Sequence, residues 1–129
     1  MADIATSGKR KLAIAKIVLS DGSGKITVNK KDFELYFRGE MAARHEVLRP
    51  LILTDTRKKY DCNAHVSGGG ISAQAQAIRH GISKALVKIS EDYRTPLRKE
   101  GLLTRDSRIV ERKKPGQPKA RKRFQYSKR

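Results

Sequence analysis

The sequence predicts a single domain that mixes strands and helices, over residues 1–104, followed by a basic extension over residues 105–129. Several short stretches are rich in β-branched residues or alternate apolar with polar residues, as strands do. These strand-like stretches are residues 12–19, 25–29 and 60–67. Two longer stretches repeat apolar residues at steps of three and four, as amphipathic helices do. These helix-like stretches are residues 40–54 and 72–90.

The charge of the chain narrows the classes of partner. The 129 residues include 30 Lys or Arg and 13 Asp or Glu, which gives a net charge of +17. Residues 105–129 hold eleven basic and two acidic residues, or +9, so the domain itself carries the remaining +8. Such an excess favours nucleic acid or an anionic membrane surface. No apolar run approaches the roughly 18 residues of a membrane span, so we expect no membrane partner.

A turn signal separates the first two strand-like stretches. Residues 21–24 contain two glycines and an aspartate between the stretches at 12–19 and 25–29. We therefore predict a β-hairpin from these two strands. Residues 31–39 are ambiguous, and we expect a short helical turn that packs through its three aromatic side chains.

A proline interrupts the helix-like stretch at residues 40–54. Pro50 lacks the N–H that a helix interior needs, so we expect it to kink the helix or to mark where the effective helix begins. The strand at residues 60–67 alternates so that Cys62 and Val66 lie on one side. His65 lies on the other side, where we expect a surface or RNA-facing side chain rather than a metal ligand.

The helix at residues 72–90 has the clearest pattern. Ser72 is placed to cap its N-terminus. Gly81 lies in its middle, where glycine costs about 1 kcal/mol relative to alanine, so we expect close packing or a close backbone approach there. A shorter helix is predicted to begin with Thr95 as N-cap and Pro96 in its first turn, and to end at Gly101.

Three glycines, residues 68–70, join the last strand to the long helix. A glycine-rich turn before a helix presents backbone N–H groups to anions, so one interpretation is a phosphate-binding cradle. The other is a tight connection that needs positive φ, and the pattern favours neither. Both the G-K-[ST] ending of a nucleotide-binding P-loop and the G-x-G-x-x-G spacing are absent.

Cations cluster near both ends of the chain. Residues 9–11 follow a glycine and predict a compact phosphate-contacting patch, with a merely solvated N-terminus as the alternative. Residues 112–129 hold nine Lys or Arg, no acidic residue, and Phe124 and Tyr126 as large apolar groups. We expect this tail to be disordered alone and ordered by RNA, since phosphates suit the cations and bases or sugars suit the rings. A solubilising or nuclear-targeting tail is the alternative.

The single cysteine, Cys62, excludes intramolecular disulfide bonds and cysteine-based zinc sites, and fits a reducing, cytosolic setting. The N-terminus has neither the apolar core of a signal peptide nor the Arg- and Ser-rich composition of a transit peptide. No carboxylate pair has a spacing that suggests a metal or a catalytic base. We therefore expect no enzymatic activity and no cofactor.

Three motifs in order along the chain resemble one family, the small-subunit ribosomal protein nine in its bacterial form. They are G-K-R-K-L-A-I-A-K-I at residues 8–17, G-G-G-I-S-A-Q-A-Q-A-I-R-H-G-I-S-K-A-L at residues 68–86, and L-L-T-R-D-S-R-I-V-E-R-K-K-P-G at residues 102–116. The terminal S-K-R is the family's usual ending. Ala73 and Gln76 stand where the family often has glycine, and Phe124 where it often has proline; none of these departures removes a cation.

The resemblance implies an α+β fold, in which a four-stranded sheet with a left-handed crossover packs helices on one side and a long basic tail follows. Because the pattern predicts three strands, we expect the fourth within residues 31–39. The resemblance also implies a structural constituent of the small-subunit head, in the cytoplasm. It would bind ribosomal RNA and neighbouring head proteins, and its tail would reach P-site tRNA during translation.

The predicted ribosomal RNA contacts combine the basic patch, the glycine turn and the cations of the extension. They are Lys9, Arg10, Lys11, Gly68, Gly69, Gly70, Arg105, Arg108, Arg112, Lys113, Lys114, Lys119, Arg121, Lys122 and Arg123. Lys128 and Arg129 match the family residues that reach the anticodon stem-loop of P-site tRNA. No catalytic, cofactor-binding or metal-binding residue is predicted.

Two rival functions remain open from the sequence. A phosphotransferase is suggested by the glycine turn and by the similarity of the family fold to GHMP-type kinase domains. Against it stand the missing P-loop lysine and the short chain. A general nucleic-acid-condensing basic protein is compatible with the charge alone, but such a protein would not need the ordered core motifs.

Overall fold

The structure, a computed structural model, describes residues 3–103, which form one mixed sheet and the helices that pack on it. The strands are β1 (Ile4–Arg10), β2 (Ala13–Asp21), β3 (Ile26–Val28), β4 (Lys31–Asp32) and β5 (Tyr60–Ser67). The helices are α1 (Phe33–Tyr36), α2 (Met41–Leu53), α3 (Ile71–Ile89) and α4 (Arg94–Lys99), with a 3-10 turn at Glu91–Tyr93. The described chain is therefore α+β, as predicted.

The sheet has five strands, in the order β1-β2-β5-β3-β4, rather than the four expected. β4 lies within residues 31–39, where the missing strand was expected. β1 was not expected, because the inward positions that follow Ile4 are Thr6, Gly8 and Arg10, which show no apolar alternation. The left-handed crossover stays a prediction.

The hairpin predicted from residues 12–19 and 25–29 is wrong. β5 lies between β2 and β3, and its Ala64 pairs with Ile17 of antiparallel β2 and with Val28 of parallel β3. The hairpin that forms instead joins β1 to β2 through Lys11 and Leu12, with Lys11 at a φ of 54°. A turn signal marks where the chain reverses, but a third strand that can hydrogen-bond on both edges decides which strands become neighbours.

The helices cover one face of the sheet. On β2 the alternate residues Ala13, Ala15, Ile17 and Leu19 are fully buried beneath α3, and α2 packs on α3. The residues between them point to the other face, which we call the open face, and they are exposed or half-buried. This one-sided burial is the pattern expected of an antiparallel sheet with one solvated face.

The remaining strand and helix boundaries agree with the predictions except at three points. β5 spans the whole predicted strand, and α3 begins after Gly70 without a side-chain cap, so Ser72 is not its N-cap. α2 starts at Met41 and runs through Pro50, which therefore does not mark its beginning. α4 follows the 3-10 turn directly, so Thr95 does not cap it. Gly101 follows α4 with a φ of 73°, as a helix-terminating glycine does.

Two glycines let α3 approach β1 closely. A Cβ on Gly8 would overlap the carbonyl oxygen of Ala77, and a Cβ on Gly81 would overlap Cγ1 of Ile17. The Thr6 hydroxyl donates to the Gly81 carbonyl at 2.7 Å across the same contact. The close packing predicted at Gly81 is confirmed, and Gly8 is the partner that the sequence did not reveal.

Candidate nucleic-acid interface

The β1–β2 hairpin carries the predicted basic patch, but its three cations have different surroundings. Lys9 and Lys11 are exposed, whereas Arg10 is only 9% exposed. Alternation along β1 turns Arg10 toward the helices, where its Nε donates to Oε1 of Gln76 on α3 at 2.6 Å. The hairpin therefore offers two solvated lysines to a partner, and Arg10 ties the hairpin to α3.

The glycine turn, residues 68–70, lies directly against this hairpin. Gly68 and Gly69 have φ values of 77° and 64°, a region that favours glycine. A Cβ on Gly68 would overlap the carbonyl oxygen of Leu12, and one on Gly69 would lie 3.1 Å from the backbone nitrogen of Ala13. The tight-connection interpretation therefore explains why Gly68 and Gly69 are glycines. Of the three glycines, Gly70 alone borders open space, so an anion has room to approach the turn there.

The N-terminus of α3 follows the glycine turn at the surface. Its first turn contains no acidic residue, and no side chain caps it. The Gln74 side chain braces the approach, since its Nε2 donates to the Gly68 carbonyl at 3.1 Å and its Oε1 accepts from the Tyr36 hydroxyl at 2.7 Å. The first N–H groups of a helix make no intrahelical bond and attract anions, so Lys9, Lys11 and this end of α3 form a region that favours an anion. Glu40 and Glu46 border it on the α2 side, where they line a hollow with Ser72.

Two lysines of α3 serve the fold rather than this region. Nζ of Lys84 donates to the Ser7 carbonyl at 2.9 Å, and Nζ of Lys88 lies 3.4 Å from the Ala5 carbonyl. Both acceptors belong to β1, which lies at one edge of the sheet. Covering edge carbonyls in this way blocks pairing with another strand.

The open face of the sheet places further polar side chains side by side. Lys16 of β2 stands opposite Ser7 of β1 on one side and opposite His65 of β5 on the other, and all three are exposed. The alternation of β5 predicted that His65 faces away from the core. Nothing local could predict its alignment with Lys16, because that alignment depends on the order of the strands.

Other titratable groups on β5 have structural surroundings. Burial raises the pKa of the Cys62 thiol to about 12, so the thiol stays neutral in the core. The Asp61 carboxylate accepts backbone N–H bonds from Lys25 at 2.9 Å and from Gly24 and Ser23 at 3.1 Å each. These bonds favour the ionised carboxylate and so lower the pKa of Asp61, and the bond from the Lys25 backbone has the largest effect.

Within residues 3–103, no group of three or more His, Cys, Asp or Glu side chains is arranged to hold a metal ion. Among the helices of the same residues, none combines the length and apolarity that a membrane crossing requires. The predicted contact residues of the extension lie outside the described residues. They are Arg105, Arg108, Arg112, Lys113, Lys114, Lys119, Arg121, Lys122, Arg123, Lys128 and Arg129.

Comparison with known proteins gives one consistent result. A family model described as ribosomal protein S9/S16 matches residues 8–129. The chain is similar to the small ribosomal subunit protein uS9 of Porphyromonas gingivalis, with 52% identity over 122 residues, 95% of this chain and 94% of the relative. It is 58% identical over 123 residues to uS9 of Rickettsia rickettsii, covering 95% of this chain and 77% of the relative. For uS9 of Methylacidiphilum infernorum the identity is 50% over 126 residues, 98% of this chain and 92% of the relative.

Proposed function

Because the chain belongs to the family of ribosomal protein S9/S16, a protein of the small ribosomal subunit, we propose that it binds ribosomal RNA and contacts P-site tRNA. Its relatives are ribosomal proteins and not enzymes. The partners we propose are ribosomal RNA, the anticodon stem-loop of P-site tRNA and neighbouring proteins of the subunit head. The proposed setting is the cytoplasm, where the protein works as part of translating ribosomes.

One observation carries this proposal: the family match runs from Gly8 to Arg129 and so includes both the hairpin lysines and the whole basic tail. A match confined to the core would support the fold alone. Here the match extends over the cations on which the proposal depends.

The domain supplies the first part of the proposed RNA interface. Lys9 and Lys11 project from the hairpin next to Gly70 and the N-terminus of α3, so phosphates can meet ammonium groups and backbone N–H groups together. Arg10 contributes by holding the hairpin against α3 through Gln76. Each phosphate neutralised releases counterions, so affinity for RNA should fall steeply with salt.

The extension supplies the second part. Residues 105–129 carry a net charge of +9 and include Pro115, Gly116 and Pro118, three residues that disfavour a helix by their chemistry. We propose that this tail orders by threading between RNA helices. Arginine can form two hydrogen bonds to one phosphate and can stack on bases, so Arg→Lys changes there should weaken RNA binding.

The last two residues, Lys128 and Arg129, have a separate proposed role. They would hold the backbone of P-site tRNA without reading its sequence, and would thereby tune P-site affinity and reading-frame retention. This division predicts that the end of the tail matters for tRNA and that the remainder matters for the subunit.

Sedimentation tests the ribosomal RNA proposal. A lysate is separated on a sucrose gradient, before and after a high-salt wash, and each fraction is probed for this chain. We expect the chain to migrate with small subunits and whole ribosomes through a moderate wash. A chain that stayed at the top of the gradient or followed DNA would overturn the proposal and favour a general nucleic-acid-condensing protein.

Deletion of Lys128 and Arg129 tests the tRNA proposal. We expect weaker binding of P-site tRNA to purified small subunits, because two cations near the tRNA backbone are lost, while the amount of assembled subunit stays close to normal. Filter binding of labelled tRNA and gradient profiles measure the two quantities. A block in assembly from this small deletion would contradict the division of roles.

A further inference from the structure

We infer that the open face of the sheet docks on the sugar–phosphate backbone of RNA, an inference that rests on the proposed RNA-binding function. The open face is the uncovered side of β1, β2 and β5 near the hairpin. Ribosomal RNA binding was predicted for the hairpin, the glycine turn and the tail. Lys9 belongs both to the hairpin patch and to this face, and His65 was expected to face solvent or RNA. Lys16, with Ser7 and Ser67 beside it, is the part of the face that lies outside the three predicted surfaces.

Strand register sets the side chains of this face in rows. Lys9, Ile14 and Ser67 form the row next to the hairpin, and Ser7, Lys16 and His65 form the next row. Asn63 follows in the third row, opposite Val18. The hydrogen-bonding members of these rows are all exposed: Ser7, Lys9, Lys16, Asn63, His65 and Ser67.

Charge divides the face into two ends. The two rows nearest the hairpin contain Lys9 and Lys16 and no carboxylate. The opposite end is mixed in charge, since Asp3, Asp61 and Lys25 line a hollow of about 250 Å³ there, and the Asp61 carboxylate is already bonded to the backbone of residues 23–25. The basic end therefore adjoins Lys11 and the glycine turn, so an anionic polymer could pass from one surface to the other.

The side-chain types favour an RNA backbone over unstacked bases or a protein. The rows through Ser7, Lys9 and Asn63 have no Phe, Tyr or Trp on the open face, and the imidazole of His65 is a lone ring there, so successive bases have no platform on which to stack. Protein interfaces place aromatic and aliphatic groups at their centre. Here the apolar members are Ile14, which is 42% exposed, the half-buried Val18 and the small side chain of Ala5 opposite it. Serine, asparagine and lysine can bond phosphates and 2′-hydroxyl groups, which the wide, shallow minor groove of RNA helices presents.

Lysine acetylation of the full chain bound to protein-free small-subunit ribosomal RNA tests this inference. We expect acetylation of Lys9 and Lys16 to be lost in the complex, whereas Lys99, exposed on α4, reacts as in the unbound chain. Unchanged reactivity of Lys16 in a chain that does bind this RNA would overturn the inference and leave the proposed function intact. Protection of Lys16 in whole subunits but not on protein-free RNA would also overturn it, because the partner would then be a protein.

A pair of matched variants gives an independent readout. Lys16→Gln removes one cation from the open face and none from the hairpin patch, and Lys99→Gln removes one exposed cation from α4. For the first variant we expect the slope of log affinity against log salt to shrink by about one, because one phosphate contact is lost. The α4 variant should keep the slope of the unaltered chain. Equal slopes in both variants, with unchanged urea midpoints, would overturn the inference, and failure of the unaltered chain to bind would overturn the proposed function itself.

Discussion

The two faces of β2 follow different rules. Toward the helices, Ala13, Ala15, Ile17 and Leu19 have no exposed surface, and small and large side chains share the space under α3. Away from the helices, the neighbouring Lys16 is exposed. The comparison shows that a single strand can specify the fold with one set of residues and present a partner surface with the other, because alternate side chains point to opposite faces.

Truncation of one residue on each face gives the largest expected contrast. Ile17→Ala should lower the free energy of unfolding by about 4 kcal/mol, because it leaves a cavity beneath α3 in a fully buried site. Lys16→Ala, the adjacent residue on the open face, should change it by no more than about 0.5 kcal/mol. Urea unfolding at constant ionic strength measures both, and similar losses from the two changes would break the comparison.

Enlargement of a glycine should give the next largest effect. Gly8→Ala should destabilise the fold by about 3 kcal/mol, because the added methyl group meets the Ala77 backbone and must push β1 away from α3. Gly70→Ala is the matched control, since a Cβ there meets open space, and it should lose less than about 1 kcal/mol as an N-cap substitution. If urea unfolding gave equal losses of unfolding free energy for the two variants, β1 and α3 would be able to move apart at little cost.

Asp61 is an outward residue of β5 with a structural role, so its effect should be smaller and should depend on pH. Its folded pKa lies below the ordinary value of 3.8, because backbone N–H groups favour the ionised carboxylate. The stability it adds is therefore complete above pH 3.8 and is lost as pH falls through the folded pKa. The unfolding free energies of the unaltered chain and of Asp61→Asn should differ near neutral pH and converge in acid. A gap that stays constant on acidification would show that these bonds do not depend on the charge.

Strong local patterns predicted single strands and helices well. β5 was predicted over its whole length because its apolar residues alternate without interruption, and α3 because its apolar stripe is long. The cations of the hairpin were also visible in the sequence, and two of them, Lys9 and Lys11, are exposed. The third, Arg10, could not be distinguished from them, because its burial depends on Gln76 of α3 lying beside it.

Sequence by itself determined the α+β class, the positions of β5 and α3, the excess of positive charge and the family, since each depends on residue type and short-range spacing. The tertiary structure decided that residues 4–10 form a strand, because Gly8 and Arg10 are inward residues only once α3 covers them. It also decided that β5 lies between β2 and β3, and hence that Lys16 stands beside His65. Periodicity specifies which side of a strand is buried, whereas the neighbours of that strand depend on contacts between residues far apart in the chain.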